Sequence, residues 1–139
     1  MDAALRLSAA LALTVALAVA GCGVDMPDVL ALRRTGAIPG ARLTVVVNDG
    51  GMVRCNAGRE RLLPSPLLLD ARGFVRDTEK DLVAHRRFPR RPGSVLSYSV
   101  RTEEGSTSWS DTSRPLPEPY FRLALLARRI AKDVCGLKR

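Results

Sequence analysis

An uninterrupted apolar run near the start of the chain limits the part of the sequence that can belong to the folded domain. Residues 7–20 contain no charged side chain, and only Ser8 and Thr14 are polar. A helix over this run reaches about 21 Å, which is shorter than the ~30 Å hydrocarbon core of a bilayer. The run therefore disfavours a permanent transmembrane helix and indicates the apolar region of a secretory signal peptide, although Arg6 is the only basic residue before it.

Two cleavage sites are compatible with the end of this run. Ala18-Val19-Ala20 is an A-x-A pattern, and cleavage after it would release a soluble protein that starts at Gly21. Val19-Ala20-Gly21-Cys22 resembles the lipobox of bacterial lipoproteins: a branched aliphatic residue, two small residues and an invariant cysteine. This resemblance implies that residues 1–21 are a signal peptide and that Cys22 carries a diacylglycerol, whose two chains suffice for stable membrane attachment.

The number of cysteines favours lipidation over soluble release. The chain contains three of them, Cys22, Cys55 and Cys135. Soluble release would leave an odd number of thiols in an oxidising compartment, whereas a lipid on Cys22 leaves an even pair. We therefore expect an exported lipoprotein on the outer face of the cytoplasmic membrane, with a disulfide between Cys55 and Cys135.

The charge of the chain narrows the choice of partners. Its formal net charge is +8, which in an intracellular protein would suggest nucleic acid. An exported protein rarely meets nucleic acid, so we expect anionic lipid head groups or cell-wall polymers instead. The alternative is that the arginine-rich composition reflects coding bias on a solvated surface, since enrichment in Arg, Ala, Leu and Pro is typical of GC-rich bacteria such as actinomycetes.

The mature chain is predicted to begin with a tether and a hairpin. Residues 22–41 show no sustained hydrophobic period and contain several prolines and glycines, which predicts a flexible tether. Residues 42–55 carry β-branched side chains on both sides of an Asp-Gly-Gly turn. A three-residue loop at 49–51 pairs Val45 with Cys55 and sends the apolar side chains of both strands to one face.

Helical and strand periods alternate over the remaining residues. Ser65-Pro66 is a helix-start pair, with serine as the cap, and the apolar spacing after it predicts a helix of about five turns. Residues 94–111 alternate strictly and predict a second hairpin, in which Val100 lies opposite Trp109. Residues 118–134 then carry an apolar stripe at helical spacing and predict a second helix.

These elements predict one small α+β domain over residues 42–137. Its fold is a four-stranded antiparallel sheet made of two hairpins, with two helices on one face, in the order ββαββα. This arrangement buries every apolar stripe and aims Cys55 at the layer in which the last helix ends with Cys135. A bridge between them would close a loop of about 80 residues and stabilise the fold by on the order of 4–5 kcal/mol in the chain-entropy model.

The second half of the chain carries a pattern shared with a known family. Residues 98–111 (YSVRTEEGSTSWSD) are followed by prolines and a Leu/Ala-rich helix, and Gly50-Gly51 occurs early in the domain. This pattern resembles the emfourins, which are proteinaceous inhibitors of thermolysin-like metalloproteases. The resemblance implies a surface-tethered protease inhibitor, but it assigns no inhibitory residue. The lipobox and overall layout also resemble a class of small actinobacterial lipoproteins.

No catalytic constellation occurs downstream of the signal peptide. His85 is the only histidine, and no carboxylate stands at a fixed spacing from it, so no serine or cysteine nucleophile has a marked base. The cysteines lack the spacing of metal ligands, and no glycine-rich phosphate loop is present. We therefore expect a non-catalytic binding domain without cofactor or metal ion, and without a nucleic-acid partner.

The densest charge cluster is the segment His85–Arg91 (HRRFPRR). Its arginines surround an aromatic residue and a proline, which makes them candidate contacts for the phosphate groups of an anionic lipid or cell-wall polymer. The alternative is an exposed, solvated loop. The four candidate residues are Arg86, Arg87, Arg90 and Arg91.

Overall fold

The computed structural model describes residues 28–138 of the chain. The predicted signal peptide (1–21), the lipidation site Cys22 and the first part of the predicted tether lie outside the described residues. The described part is an α+β domain with one antiparallel sheet and three helices. None of these helices is long and apolar enough to cross a bilayer.

The sheet has six strands in the order β4-β3-β2-β1-β5-β6. Each neighbouring pair is antiparallel. The helices are three, and the last one continues as a π-helical turn. The strands are β1 (Asp28–Gly36), β2 (Leu43–Asn48), β3 (Met52–Cys55), β4 (Arg61–Leu62), β5 (Leu96–Arg101) and β6 (Ser106–Ser110). The helices are α1 (Ser65–Asp77), α2 (Glu79–Val83) and α3 (Glu118–Arg129), and the π-helical turn spans Ile130–Val134.

The prediction of four strands in the order ββαββα is wrong, because part of the predicted tether is a strand. Strand β1 lies between β2 and β5 and joins the two hairpins into one sheet. Its side chains Leu30, Leu32 and Arg34 are all buried. Arg34 donates from Nε to the Ala41 carbonyl at 2.8 Å and from Nη2 to the Gly40 carbonyl at 3.0 Å. This buried arginine interrupts the apolar alternation by which the strand would be recognised. The short edge strand β4 is likewise absent from the predicted order.

The predicted register of the first hairpin is confirmed. Val45 pairs with Cys55 and Val47 pairs with Val53, across the loop that contains Gly51. Cys55 consequently points toward the helices, and it forms the predicted disulfide with Cys135, the two residues being 80 positions apart in the chain.

The predicted register of the second hairpin is shifted by two residues. Val100 pairs with Thr107 instead of Trp109. The hairpin loop closes earlier than predicted, because the Thr102 amide donates to the Gly105 carbonyl at 2.8 Å. A shift by two residues leaves every side chain on its predicted face of the sheet, so the core and the solvated face keep their predicted members.

The helices cover one face of the sheet, as predicted, but the first predicted helix is divided. Helix α1 begins at Ser65, whose side chain makes no capping hydrogen bond. At Thr78 the backbone leaves the helical region, and the Thr78 hydroxyl donates to the Phe74 carbonyl at 2.8 Å. This side-chain hydrogen bond satisfies a carbonyl group in the last turn of α1. The short helix α2 begins at the next residue, Glu79.

An aromatic cluster fills the space between the sheet and the helices. The rings of Tyr98 and Trp109 stack with centroids 5.1 Å apart. Tyr120 of α3 meets Trp109 edge-on at 5.0 Å, and the Phe74 and Phe88 rings approach Tyr120 at 5.5 and 4.8 Å. Offset and edge-to-face pairs at these distances stabilise a core beyond their buried area. The helices and this cluster therefore cover the helix-facing side of the sheet.

Candidate functional site on the uncovered face of the sheet

The face of the sheet opposite the helices presents a row of polar side chains. Strand pairing places Thr44, Arg33, Ser99 and Ser108 side by side across β2, β1, β5 and β6. Arg87 extends this row by one position, because its backbone forms a parallel bridge with Ser108. Neighbouring strands are about 4.8 Å apart, so three strand spacings, about 14 Å, separate the backbones of Arg33 and Arg87.

A second row runs parallel to the first. Arg101 pairs with Ala31 on one side and with Ser106 on the other. His85 completes the row, with its Nδ1 atom 3.0 Å from the Ser106 hydroxyl. The two rows line a shallow depression of about 580 Å³, which we call the basic face. Its described lining contains three arginines, one histidine and no carboxylate.

The three arginines of the basic face are available for a ligand. The side chains of Arg33, Arg87 and Arg101 are exposed, and none forms a hydrogen bond or ion pair with another described residue. The hydroxyl groups of Ser99 and Ser108 likewise have no hydrogen-bond partner in the described part of the chain. Several arginines elsewhere are paired, namely Arg54 with Glu60, Arg72 with Asp49, Arg86 with Asp81, and Arg122 with Asp77, whereas Arg128 and Arg129 on α3 are also unpaired among the described residues.

The four arginines singled out in the sequence do not form one surface. Arg86 pairs with Asp81 at 3.0 Å, and its guanidinium lies over the Phe88 ring. Arg90 and Arg91 donate to backbone carbonyls, of Ser94 and of Arg114, each at 2.9 Å. Only Arg87 reaches the basic face.

The backbone of residues 86–88 explains this separation. The Ser108 amide donates to the Arg86 carbonyl at 3.2 Å, and the Phe88 amide donates to the Ser108 carbonyl at 2.9 Å. The segment therefore lies beside β6 as a short extension of the sheet. Side chains of an extended segment alternate between faces, so Phe88 enters the core, where it is 8% exposed, and Arg87 points to the basic face.

Asp111, which directly follows β6, fixes the beginning of β5 through its carboxylate. Asp111 accepts hydrogen bonds from the Ser94 hydroxyl at 2.7 Å and from the amides of Val95 and Leu96 at 3.1 and 3.2 Å. Partial burial acts to raise the pKa of Asp111, but these hydrogen bonds outweigh it and lower the pKa below its ordinary value of 3.8. Asp111 is therefore ionised at neutral pH and fixes the strand that carries Ser99 and Arg101.

A groove between α1 and α3 is another sizeable concavity among the described residues. It has a volume of about 390 Å³ and exposes Leu69 and Leu125. Two carboxylates line it, Asp70 and Asp77, and Asp77 is paired with Arg76 at 3.3 Å and with Arg122 at 3.2 Å. Asp70 is unpaired among the described residues, but the arginines Arg76, Arg122 and Arg129 line the same groove, so its charges do not indicate the chemistry of one partner. The basic face is the better candidate for a functional site.

The arginines of the basic face suit it to bind anions. Guanidinium groups form paired, charge-assisted hydrogen bonds with phosphate, sulfate or carboxylate groups. No cluster of three or more His, Cys, Asp or Glu side chains that could hold a metal ion occurs among residues 28–138. Neither Arg33 nor Arg101 was predicted as a site residue: the outward position of Arg101 in the alternating hairpin strand was a signal for it, whereas Arg33 lies in the predicted tether and had none.

Comparison of the chain with protein-family models, curated proteins and solved structures finds no match. The resemblances to bacterial lipoproteins and to emfourins therefore stay predictions. The emfourin-like stretch, residues 98–111, forms most of the β5–β6 hairpin and supplies four side chains of the basic face.

Proposed function

We propose that this protein is a non-catalytic binding domain of the bacterial cell envelope that binds an anionic polymer through the basic face. The observation that carries the proposal is the set of three exposed arginines, Arg33, Arg87 and Arg101, which have no partner among the described residues. The lining that these three cations share contains no carboxylate, so their charges repel one another, and an anionic ligand relieves this repulsion. The net charge of +8 adds a long-range attraction for the same ligand.

A polymer suits the basic face better than a lipid surface does. Proteins that lie on membranes combine basic residues with apolar side chains that enter the acyl boundary. The large exposed apolar side chains of the described domain lie outside the lining of the basic face. They are Leu62, Leu69, Val83, Val95, Phe121 and Leu125.

The proposal places the domain close to the membrane, with a lipid on Cys22. The Cys55–Cys135 disulfide uses the other two cysteines of the chain and suits an oxidising compartment. Strand β1 begins at Asp28, so the connection from Cys22 can reach at most about 20 Å when fully extended. A tether this short confines the binding domain to polymers near the outer surface of the cytoplasmic membrane.

Polymer binding is tested with the full chain, produced with its own signal peptide in a bacterial host and purified from membranes. Arg33→Gln/Arg101→Gln removes two charges from the basic face. Arg128→Gln/Arg129→Gln is the matched control, because both residues are exposed on α3 and unpaired among the described residues. Cosedimentation with isolated cell walls should weaken roughly ten-fold for the first variant, at about 0.2–1 kcal/mol per exposed charge contact, and stay unchanged for the control. An equal loss in both would mean that only the net charge matters.

The lipid anchor is tested separately. Metabolic labelling with a fatty acid should modify the wild-type chain and leave Cys22→Ala unlabelled, and the variant should leave the membrane fraction. Labelling that persists in the variant, or membrane association that does not change, would refute the anchor without bearing on the basic face.

A further inference from the structure

We infer that the ligand of the basic face is a polyol-phosphate type of polymer, in which hydroxylated units separate the anionic groups, and that it crosses the strands along the first row. This inference rests on the proposed function and specifies its ligand. The observation behind it is the order of side chains along the row, in which Ser99 and Ser108 stand between the cations Arg33 and Arg87.

The spacing of the arginines matches interrupted charges. About 14 Å separates the backbones of Arg33 and Arg87. Arg101 stands diagonally from Arg33, and diagonal neighbours on adjacent strands have side chains about 7–8 Å apart. In a polymer with closely spaced anionic groups, some charges would lie over the serines, where no cation is present. In a polymer whose anionic groups are widely spaced, the charges can lie beside the arginines and the uncharged units beside the serines.

The sheet surface between the arginines, which we call the floor, can form hydrogen bonds with hydroxyl groups of a ligand. Ser99 and Ser108 have no hydrogen-bond partners in the described chain, and each hydroxyl can donate one hydrogen bond and accept two. Polyol hydroxyls also donate and accept, so each can exchange hydrogen bonds with the floor. The neighbouring floor residues Ala31 and Ser106 are small as well, which lets a chain lie close to the sheet. The described lining holds no carboxylate that would repel the phosphates.

The experiment measures the affinity of the membrane-purified full chain for defined probes. These probes are poly(glycerol phosphate), linear polyphosphate at equal phosphate concentration, uncharged polyglycerol, and vesicles of phosphatidylglycerol and phosphatidylcholine. The variant Ser99→Ala/Ser108→Ala keeps all charges and removes the hydroxyls of the floor. Ser65→Ala is the control, since Ser65 is exposed at the start of α1 and makes no capping bond.

We expect poly(glycerol phosphate) to bind more tightly than polyphosphate, and uncharged polyglycerol not to bind. The double serine variant should lose roughly ten-fold in affinity for poly(glycerol phosphate), because two hydroxyl partners of the polymer are removed, and should lose no affinity for polyphosphate. Equal binding of both polymers without an effect of the serines would overturn the inference and leave the proposed function standing. Binding of vesicles but of neither polymer, or of no probe at all, would overturn both.

Discussion

The Tyr120 hydroxyl donates a 2.8 Å hydrogen bond to the Asp81 carboxylate, 39 residues earlier in the chain. The second oxygen of Asp81 accepts a hydrogen bond from Nη1 of Arg86 at 3.0 Å. The Arg86 carbonyl in turn accepts from the Thr107 hydroxyl at 2.9 Å. These bonds join α2, α3 and β6 and hold residue 86 beside the sheet. The adjacent residue, Arg87, is thereby directed to the basic face.

Replacing Tyr120 by phenylalanine should destabilise the domain without unfolding it. The variant Tyr120→Phe keeps the ring in the aromatic cluster and removes the hydroxyl, which donates to Asp81 and also lies 3.3 Å from the Thr107 hydroxyl. A hydrogen bond to a charged group contributes about 1.5–3 kcal/mol, and Asp81 would still be paired with Arg86. Urea unfolding should show a free energy of unfolding lower by this amount. Equal stability of the two proteins would contradict the role of this hydrogen bond.

The same tyrosine should make the fold sensitive to alkali. Burial raises the pKa of Tyr120 above its ordinary value of 10.0, and the hydrogen bond and negative charge of Asp81 raise it further. The unfolded chain therefore loses this proton at a lower pH than the folded one. The contribution to stability is complete below pH 10 and decreases as the pH rises above it. Unfolding measured across this range should show a steeper alkaline decline for the wild type than for Tyr120→Phe.

Local sequence patterns were sufficient for the first hairpin and insufficient for β1. The Asp-Gly-Gly turn and the apolar alternation fixed the pairing of Val45 with Cys55, because a wrong register would have put a charge in the core. In β1, the buried position of Arg34 depends on the Gly40 and Ala41 carbonyls of the next loop. Partners of this kind are determined by tertiary structure, and a residue pattern within the strand does not reveal them.

The basic face could not be predicted for the same reason. Its first row exists because β1 lies between β2 and β5, which sets Arg33 beside both Thr44 and Ser99. A charge cluster that is contiguous in sequence, such as residues 85–91, was the visible feature. The extended backbone of that segment sends successive side chains in opposite directions, so proximity along the chain did not produce one surface.

Asp111 should contribute stability that is lost in acid. Its pKa is lowered by the hydrogen bonds from Ser94, Val95 and Leu96, so the unfolded chain takes up a proton at a higher pH than the folded one. The contribution of Asp111 to the free energy of unfolding is therefore complete above pH 3.8 and decreases as the pH falls below that value. Asp111→Asn should cost about 1 kcal/mol at neutral pH. This difference from the wild type should shrink in unfolding experiments below pH 3.8; a constant difference would contradict the assignment.

Replacing Gly105 or Gly73 by alanine should change the stability of the domain in opposite directions. A β-carbon on Gly105 would collide with the Leu82 carbonyl at the end of α2, so Gly105→Ala should destabilise by about 1–3 kcal/mol. Gly73 lies within α1, and the nearest atom to an added β-carbon would be Nη2 of Arg76 at 3.6 Å, an ordinary contact. Gly73→Ala should therefore stabilise by about 0.5–1 kcal/mol. Thermal unfolding checks both, and a loss of stability at Gly73 would show that its space is needed.

Removing the disulfide should be the most destabilising of these changes. Cys55 and Cys135 are 80 positions apart, so the bridge closes most of the domain into one loop. In the chain-entropy model a loop of this length stabilises by about 4–5 kcal/mol, by restricting the unfolded chain. Cys55→Ala/Cys135→Ala should lose this amount in urea unfolding, whereas Cys22→Ala should leave the free energy of unfolding unchanged.

If the disulfide stabilises the domain by restricting the unfolded chain, the packing of the aromatic cluster should not change when the disulfide is removed. Tyr98, Trp109 and Tyr120 contact one another without involving either cysteine. The near-ultraviolet circular dichroism of the double variant should therefore match that of the wild type at low denaturant. Reduction of the wild type should lower its stability by the same amount as the double substitution. A variant that loses the aromatic signal in the absence of denaturant would instead show that the bridge maintains the packing of α3 on the sheet.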